Sequence, residues 1–91
     1  MINNALDKVI ESDKLPYGID QFQLKYKNVE LQIFVCAYYG LVYDKNGEHE
    51  YCDGYRSLDE LLDVVVKELD EPKSIREILR ETPSDEVQIY F

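Results

Sequence analysis

The sequence predicts an α+β fold in one domain over residues 1–91. It is an antiparallel sheet of about four strands with helices packed on one face, in the order α-β-β-β-α-α-β. Three observations predict it. Apolar residues recur at helical spacing at the start of the chain and again after Ser57, while the stretch between them alternates apolar and polar. Two Ser-x-x-Glu boxes mark helix starts in the second half. The short C-terminal stretch EVQIYF alternates again.

Each element follows from local chemistry. Over 2–14, Ile2, Ala5, Leu6, Val9 and Ile10 make one apolar stripe, with Asp7, Lys8 and Glu11 on the other side. LPYG at 15–18 stops that helix. IDQFQLKYK at 19–27 alternates, with Phe22, Leu24 and Tyr26 on one face. A longer strand is predicted over 29–44, with Val29, Leu31, Ile33, Val35, Ala37, Tyr39 and Leu41 on one side. If Lys27 and Asn28 form the turn, Tyr26 faces Val29, Leu24 faces Leu31 and Phe22 faces Ile33.

A second hairpin closes at DKNG. A two-residue Asn46-Gly47 loop would set Leu41 opposite Cys52 and Tyr43 opposite Glu50, placing a carboxylate on the apolar face. A three-residue loop with Gly47 in a bulge sets Leu41 opposite Tyr51 instead, and burial favours this register. Ser57 then caps a helix whose stripe is Leu58, Leu61, Leu62, Val65 and Leu69, ended by Pro72. Ser74 caps a shorter helix with Ile75, Ile78 and Leu79, ended by Pro83, and 86–91 form the last strand.

Charge separates the two halves. The chain carries a net charge of −9. Residues 1–43 hold five acids and four lysines, a net of −1, and residues 44–91 hold fourteen acids and six bases, a net of −8. Such a field repels nucleic acid and anionic membrane and attracts basic partners, although acidity also serves solubility alone. No signal peptide is evident, the apolar runs are too short to span a membrane, and two unsecreted cysteines suit a reducing cytoplasm. The expected localisation is therefore cytoplasmic.

The stretch YDKNGEHEYCDGYRSLDE, 43–60, is where chemistry would sit, and each candidate there is weak. As a calcium loop centred on Gly47 it would have Val42 at the first ligand position and Asp53 at the last, lacking the first carboxylate and the bidentate glutamate. His49 and Cys52 lie three apart on a strand, so they point to opposite faces and make neither a zinc pair nor a nucleophile–base pair. No carboxylate pair sits in an identifiable apolar pocket, and no glycine-rich phosphate loop exists. The expectation is a protein without catalytic residues, metal or cofactor. Lys25, Tyr26 and Lys27 are too little basic surface for direct nucleic-acid binding.

Two surface features remain. One is an acidic belt of Glu48, Glu50 and Asp53 on the hairpin and Asp59, Glu60 and Asp63 on the helix, continued by Asp70, Glu71, Glu77, Glu81, Asp85 and Glu86. Asp59 and Asp63 lie one helical turn apart, and Lys67 at i+4 would partly neutralise Asp63. The other is the outer side of the long strand, with Phe34, Cys36, Tyr38 and Val42, which either is covered or forms an apolar patch.

In size, acidity and element order the chain resembles, in outline only, the small acidic anti-defence proteins of phages, including anti-CRISPR proteins. No motif is shared and no residue's role carries over. The expected function is a non-enzymatic inhibitor whose acidic, nucleic-acid-mimicking face meets a basic protein surface such as that of a nucleic-acid-binding protein. Its partner-binding residues would be Glu48, Glu50, Asp53, Asp59, Glu60, Asp63 and Asp70, joined by Phe34 and Tyr38. The alternative is a small structural or regulatory domain that forms a homodimer through the outer face of its sheet.

Overall fold

The computed structural model describes residues 4–16, 18–27, 29–35, 39–45, 48–55, 57–67 and 69–91, with 39–45 and 48–55 described by their backbone pairing. Helix α1, Ala5–Asp13, starts where the Asn4 side chain accepts a hydrogen bond from the Asp7 N–H at 2.9 Å. It buries Ala5, Leu6 and Val9, the stripe its spacing predicts. Strands β1, Gln21–Tyr26, and β2, Val29–Phe34, pair antiparallel with Phe22 opposite Ile33, Leu24 opposite Leu31 and Tyr26 opposite Val29, as the alternation requires.

The tight turn between them puts Lys27 at a φ of 54°, in the left-handed region. That conformation costs a side chain with a Cβ about 1 kcal/mol, and asparagine tolerates it better than lysine. The Lys27 ammonium lies 5.4 Å from the centre of the Tyr26 ring, an exposed contact that gives back about 0.5 kcal/mol. Lys27→Asn should therefore gain about 0.5 kcal/mol and raise the melting temperature by roughly 2–4 °C. A lowered melting temperature would show that the ring contact outweighs the backbone cost.

The long strand expected over 29–44 is two strands. The chain reverses after Val35, and β3, Tyr39–Lys45, returns antiparallel along β2 with Leu41 opposite Ile33 and Tyr43 opposite Leu31. Opposite residues of a hairpin share a face, so the alternation runs unbroken through the turn and hides it. Neither Phe34 nor Val35 is a turn former, and Cys36, Ala37 and Tyr38 lie outside the described residues.

Strand β4, Glu48–Tyr55, pairs with β3 in the register that burial had disfavoured: Leu41 faces Cys52, Tyr43 faces Glu50 and Lys45 faces Glu48. Two residues, Asn46 and Gly47, then separate the strands, and both lie outside the described residues. The register shift comes at the far end instead, between Tyr39 and Leu41, where Asp53 and Gly54 oppose Gly40. Burial is a weak guide to register on β4, which is an edge strand of the sheet. The preference of Asn-Gly for a two-residue loop then decides the register.

Ser57 caps α2, Leu58–Leu62, by accepting from the Glu60 N–H at 3.1 Å. This helix is far shorter than its predicted reach to Pro72. It ends at Asp63, and Val65–Val66 form strand β5, paired with β6, Lys73–Ser74, in a two-stranded ribbon. Three consecutive valines favour extended backbone, and Val65 at 47% exposure against buried Val66 shows strand alternation. The Ser74 capping box is present in full and opens α3, Ile75–Glu81. A 3-10 turn at Ser84–Glu86 leads into β7, Gln88–Tyr90, a shorter strand than the predicted 86–91.

The main sheet has five antiparallel strands in the order β4-β3-β2-β1-β7. The fifth comes from splitting the long strand, and the ribbon was not expected at all. The inward residues of β1 and β2 join Val9, Leu61, Leu62, Ile75, Ile78 and Leu79 in one apolar cluster, so the helices cover one face of the sheet. On the outer face Glu30, Gln32 and Gln88 are exposed. Two polar tethers close the N- and C-terminal parts together. The Ala5 N–H donates to the Thr82 carbonyl at 2.7 Å, and the Lys8 ammonium donates to the carbonyls of Ser84 at 3.0 Å and Val87 at 3.3 Å.

Candidate acidic binding face

Asp59 and Glu60 occupy the first turn of α2, where carboxylates face the positive end of the helix dipole. Local structure alone thus favours acids here. Asp63 caps the other end, one turn on, and the structure adds a partner that sequence spacing missed. The Arg76 guanidinium, reaching from α3, donates from Nε to Asp63 Oδ1 at 3.2 Å and from Nη2 to Asp59 Oδ1 at 3.4 Å. It also donates to the Asp59 carbonyl at 3.4 Å. Lys67 is not the i+4 partner, because the helix ends before reaching it.

Arg76 is 27% exposed, whereas the Asp59 and Asp63 side chains are 88% and 71% exposed. The cation sits low and the two carboxylates stand above it. Bridging two acids with one base leaves a net negative charge. Only the packing of α3 on α2 brings Arg76 there, so no pattern along the chain could have revealed it.

Glu48, Glu50 and Asp53 lie on edge strand β4, and α2 packs beside β3 and β4. The hairpin acids and the helix acids therefore belong to neighbouring elements. Asp70 and Glu71 are exposed in the loop joining β5 to β6 and meet no cation among the described residues. Phe34 ends β2 half-buried, opposite Gln21 on one side and Gly40 on the other. Tyr38 lies outside the described residues.

No known family, curated protein or solved structure matches the chain.

Two members of the acidic belt serve the fold instead. Glu77 completes the capping box, accepting at Oε1 from the Ser74 N–H at 3.4 Å. Glu81 accepts from the Lys73 ammonium at 2.6 Å and from the Tyr26 hydroxyl at 3.3 Å, and Lys73 also donates to that hydroxyl at 3.1 Å. This cluster ties β1, β6 and α3 together. The Lys73 hydrogen bond holds the Glu81 carboxyl below its ordinary value of 4.5, and the bonds to Glu81 and Tyr26 hold Lys73 above its ordinary 10.5.

A depressed carboxyl contributes stability that is present above pH 4.5 and is lost as pH falls through the folded value; the raised lysine contributes stability present below 10.5 and lost at higher pH. Glu81→Gln should accordingly flatten the fall in melting temperature below pH 4.5 relative to the parent protein. Identical acid limbs in parallel melts would show that the pair does not couple to folding.

Among the described residues no three His, Cys, Asp or Glu side chains come together as a metal-binding set, and no helix is long and apolar enough to cross a membrane.

Proposed function

We propose that this protein is a small acidic inhibitor that binds a basic protein surface, with no catalytic step of its own. The observation that carries the reading is the Asp59–Arg76–Asp63 arrangement: two exposed carboxylates, one turn apart on α2, that share one guanidinium. Immobilised charges lose less conformational entropy on binding than free surface acids do. A row of fixed carboxylates can take the place of phosphates in a basic groove. The acids in the sequence of β4 and the exposed Asp70 and Glu71 add to the negative charge of this half of the chain.

The partner class this implies is a nucleic-acid-binding protein, and the resemblance in size and acidity to phage anti-defence proteins suggests a host defence component in the cytoplasm. The test is capture from native host lysate on immobilised protein, eluted with a salt gradient. Recovery of a basic nucleic-acid-binding protein that leaves at moderate salt supports the reading, since exposed charge pairs are screened within about 8 Å at physiological ionic strength. A partner whose retention ignores salt overturns it.

Self-association through the outer sheet face has less to support it. Beside Phe34 that face presents Gln21, Gln23, Gln32 and Gln88. Tyr38→Lys abolishing a dimer would restore it.

A further inference from the structure

The outer face of the sheet holds an open depression of about 320 Å³ across β1, β2 and β7. Two rows of side chains line it. In one, Gln23 stands between Gln32 on β2 and Gln88 on β7. In the next, Lys25 stands opposite Glu30, and Glu86 joins them from the turn before β7. Leu24 and Leu31, whose side chains belong to the core on the other face, underlie the depression. Small-molecule pockets are lined mainly by apolar groups with a few polar ones. Here every outward side chain is an amide or a charge, so an occupant must be polar throughout.

The amide row is already oriented. Gln32 Nε2 donates to Gln23 Oε1 at 3.5 Å, and Gln23 Nε2 donates to Gln88 Oε1 at 2.9 Å. The Tyr90 hydroxyl fastens the end of the row, accepting from Gln23 Nε2 at 3.3 Å and donating to Gln88 Oε1 at 2.9 Å. An amide both donates and accepts, so the chain of bonds leaves a donor at one end and an acceptor at the other. These are Gln88 Nε2 and Gln32 Oε1, neither of which is bonded among the described residues. In the charged row Lys25, Glu30 and Glu86 are exposed, and none forms an ion pair among the described residues. Donors and acceptors are thus mixed around the rim, with an ammonium group placed among carboxylates.

We propose that this depression binds a neutral saccharide through its hydroxyl groups. A hydroxyl donates and accepts at once, so adjacent sugar hydroxyls are matched by a rim of mixed donors and acceptors. Phosphates and other anions are repelled by a chain of net charge −9. A zwitterion such as a free amino acid needs its two charges answered at separate places, and here cation and acids share one row. The preformed amide row reduces the ordering that binding requires. The site is open to water, so affinity is weak, with a dissociation constant of about 1 mM. It is separate from the acidic face and differs from it in salt response, because a neutral ligand is not screened.

The experiment is a nuclear magnetic resonance titration of the nitrogen-15-labelled chain with maltose, cellobiose, lactose and chitobiose, each to tens of millimolar. Free glutamate and free lysine are run alongside. Expected is a saturable shift of the Gln23, Gln32 and Gln88 side-chain amides with at least one disaccharide, unchanged by added salt, while the Asp59 and Asp63 signals stay still. Gln23→Ala and Lys25→Met, each checked for folding by circular dichroism, should weaken binding about tenfold, and Gln21→Ala, outside the depression, should not. Four disaccharides without a saturable shift would overturn the proposal. So would an amino acid that binds more tightly than any of them, or a folded Gln23→Ala or Lys25→Met variant that binds like the parent.

Discussion

Phe22→Ala should cost about 3–5 kcal/mol, enough to remove most of the folded population of a domain whose total stability is roughly 5–15 kcal/mol. Phe22 is fully buried near the start of β1, opposite Ile33 on one side and Ile89 on the other. Truncating it opens a cavity where strands from both sides of the sheet meet the helices, and neighbours held in two ladders cannot collapse into the space. At roughly 4–8 °C per kcal/mol, the melting temperature should fall by tens of degrees or the transition vanish. Gln23→Ala, one residue along on the outer face, is the control and should change stability by no more than about 0.5 kcal/mol. Similar melts for both variants would mean that the core is not centred on β1.

The second large effect concerns charge. Asp70→Lys with Glu71→Lys should weaken binding of a basic partner by roughly tenfold to a hundredfold, and the dissociation constant of the parent complex should rise steeply with salt. These two acids leave the Arg76 contacts untouched, so loss of affinity would report charge and not a loosened helix. Reversing Asp59, Glu60 and Asp63 together should have a still larger effect, but it also strips Arg76 of both its carboxylates. Asp7→Lys with Glu11→Lys makes the same change in net charge on the first helix. Equal losses from the α1 pair and the loop pair would reduce the acidic face to a matter of overall charge. A salt-independent dissociation constant would remove the inhibitor reading altogether.

Much of the architecture was legible because local chemistry and burial agreed. The Phe22/Ile33, Leu24/Leu31 and Tyr26/Val29 pairings follow from alternation alone, and the Ser57 and Ser74 caps follow from side chains that compete for backbone donors. What misled was a pattern with two solutions. A stripe at Leu58, Leu61, Leu62, Val65 and Leu69 fits a long helix, yet the valine run prefers extended backbone and the chain turns into a ribbon. The alternation from Val29 to Leu41 fits one strand or a hairpin equally well. The candidate site was legible in its acids and illegible in its arginine. Asp63 and Arg76 are thirteen residues apart, and nothing short of the fold brings them within hydrogen-bonding distance.

The placement of β7 bears on how the molecule comes to be folded. Strands β1 to β4 form a meander whose pairings join neighbours in sequence, and such local ladders can assemble early. The edge beside β1 is different, since Gln23 and Gln88, which pair there, are 65 residues apart. During synthesis β1 emerges long before its last partner exists, and it waits with one flank open while the meander grows on the other. The interval between translation of Gln23 and arrival of Gln88 is then a window for mispairing. Its length is set by the ribosome, and it should shrink if the C-terminal segment is grafted ahead of β1 by circular permutation.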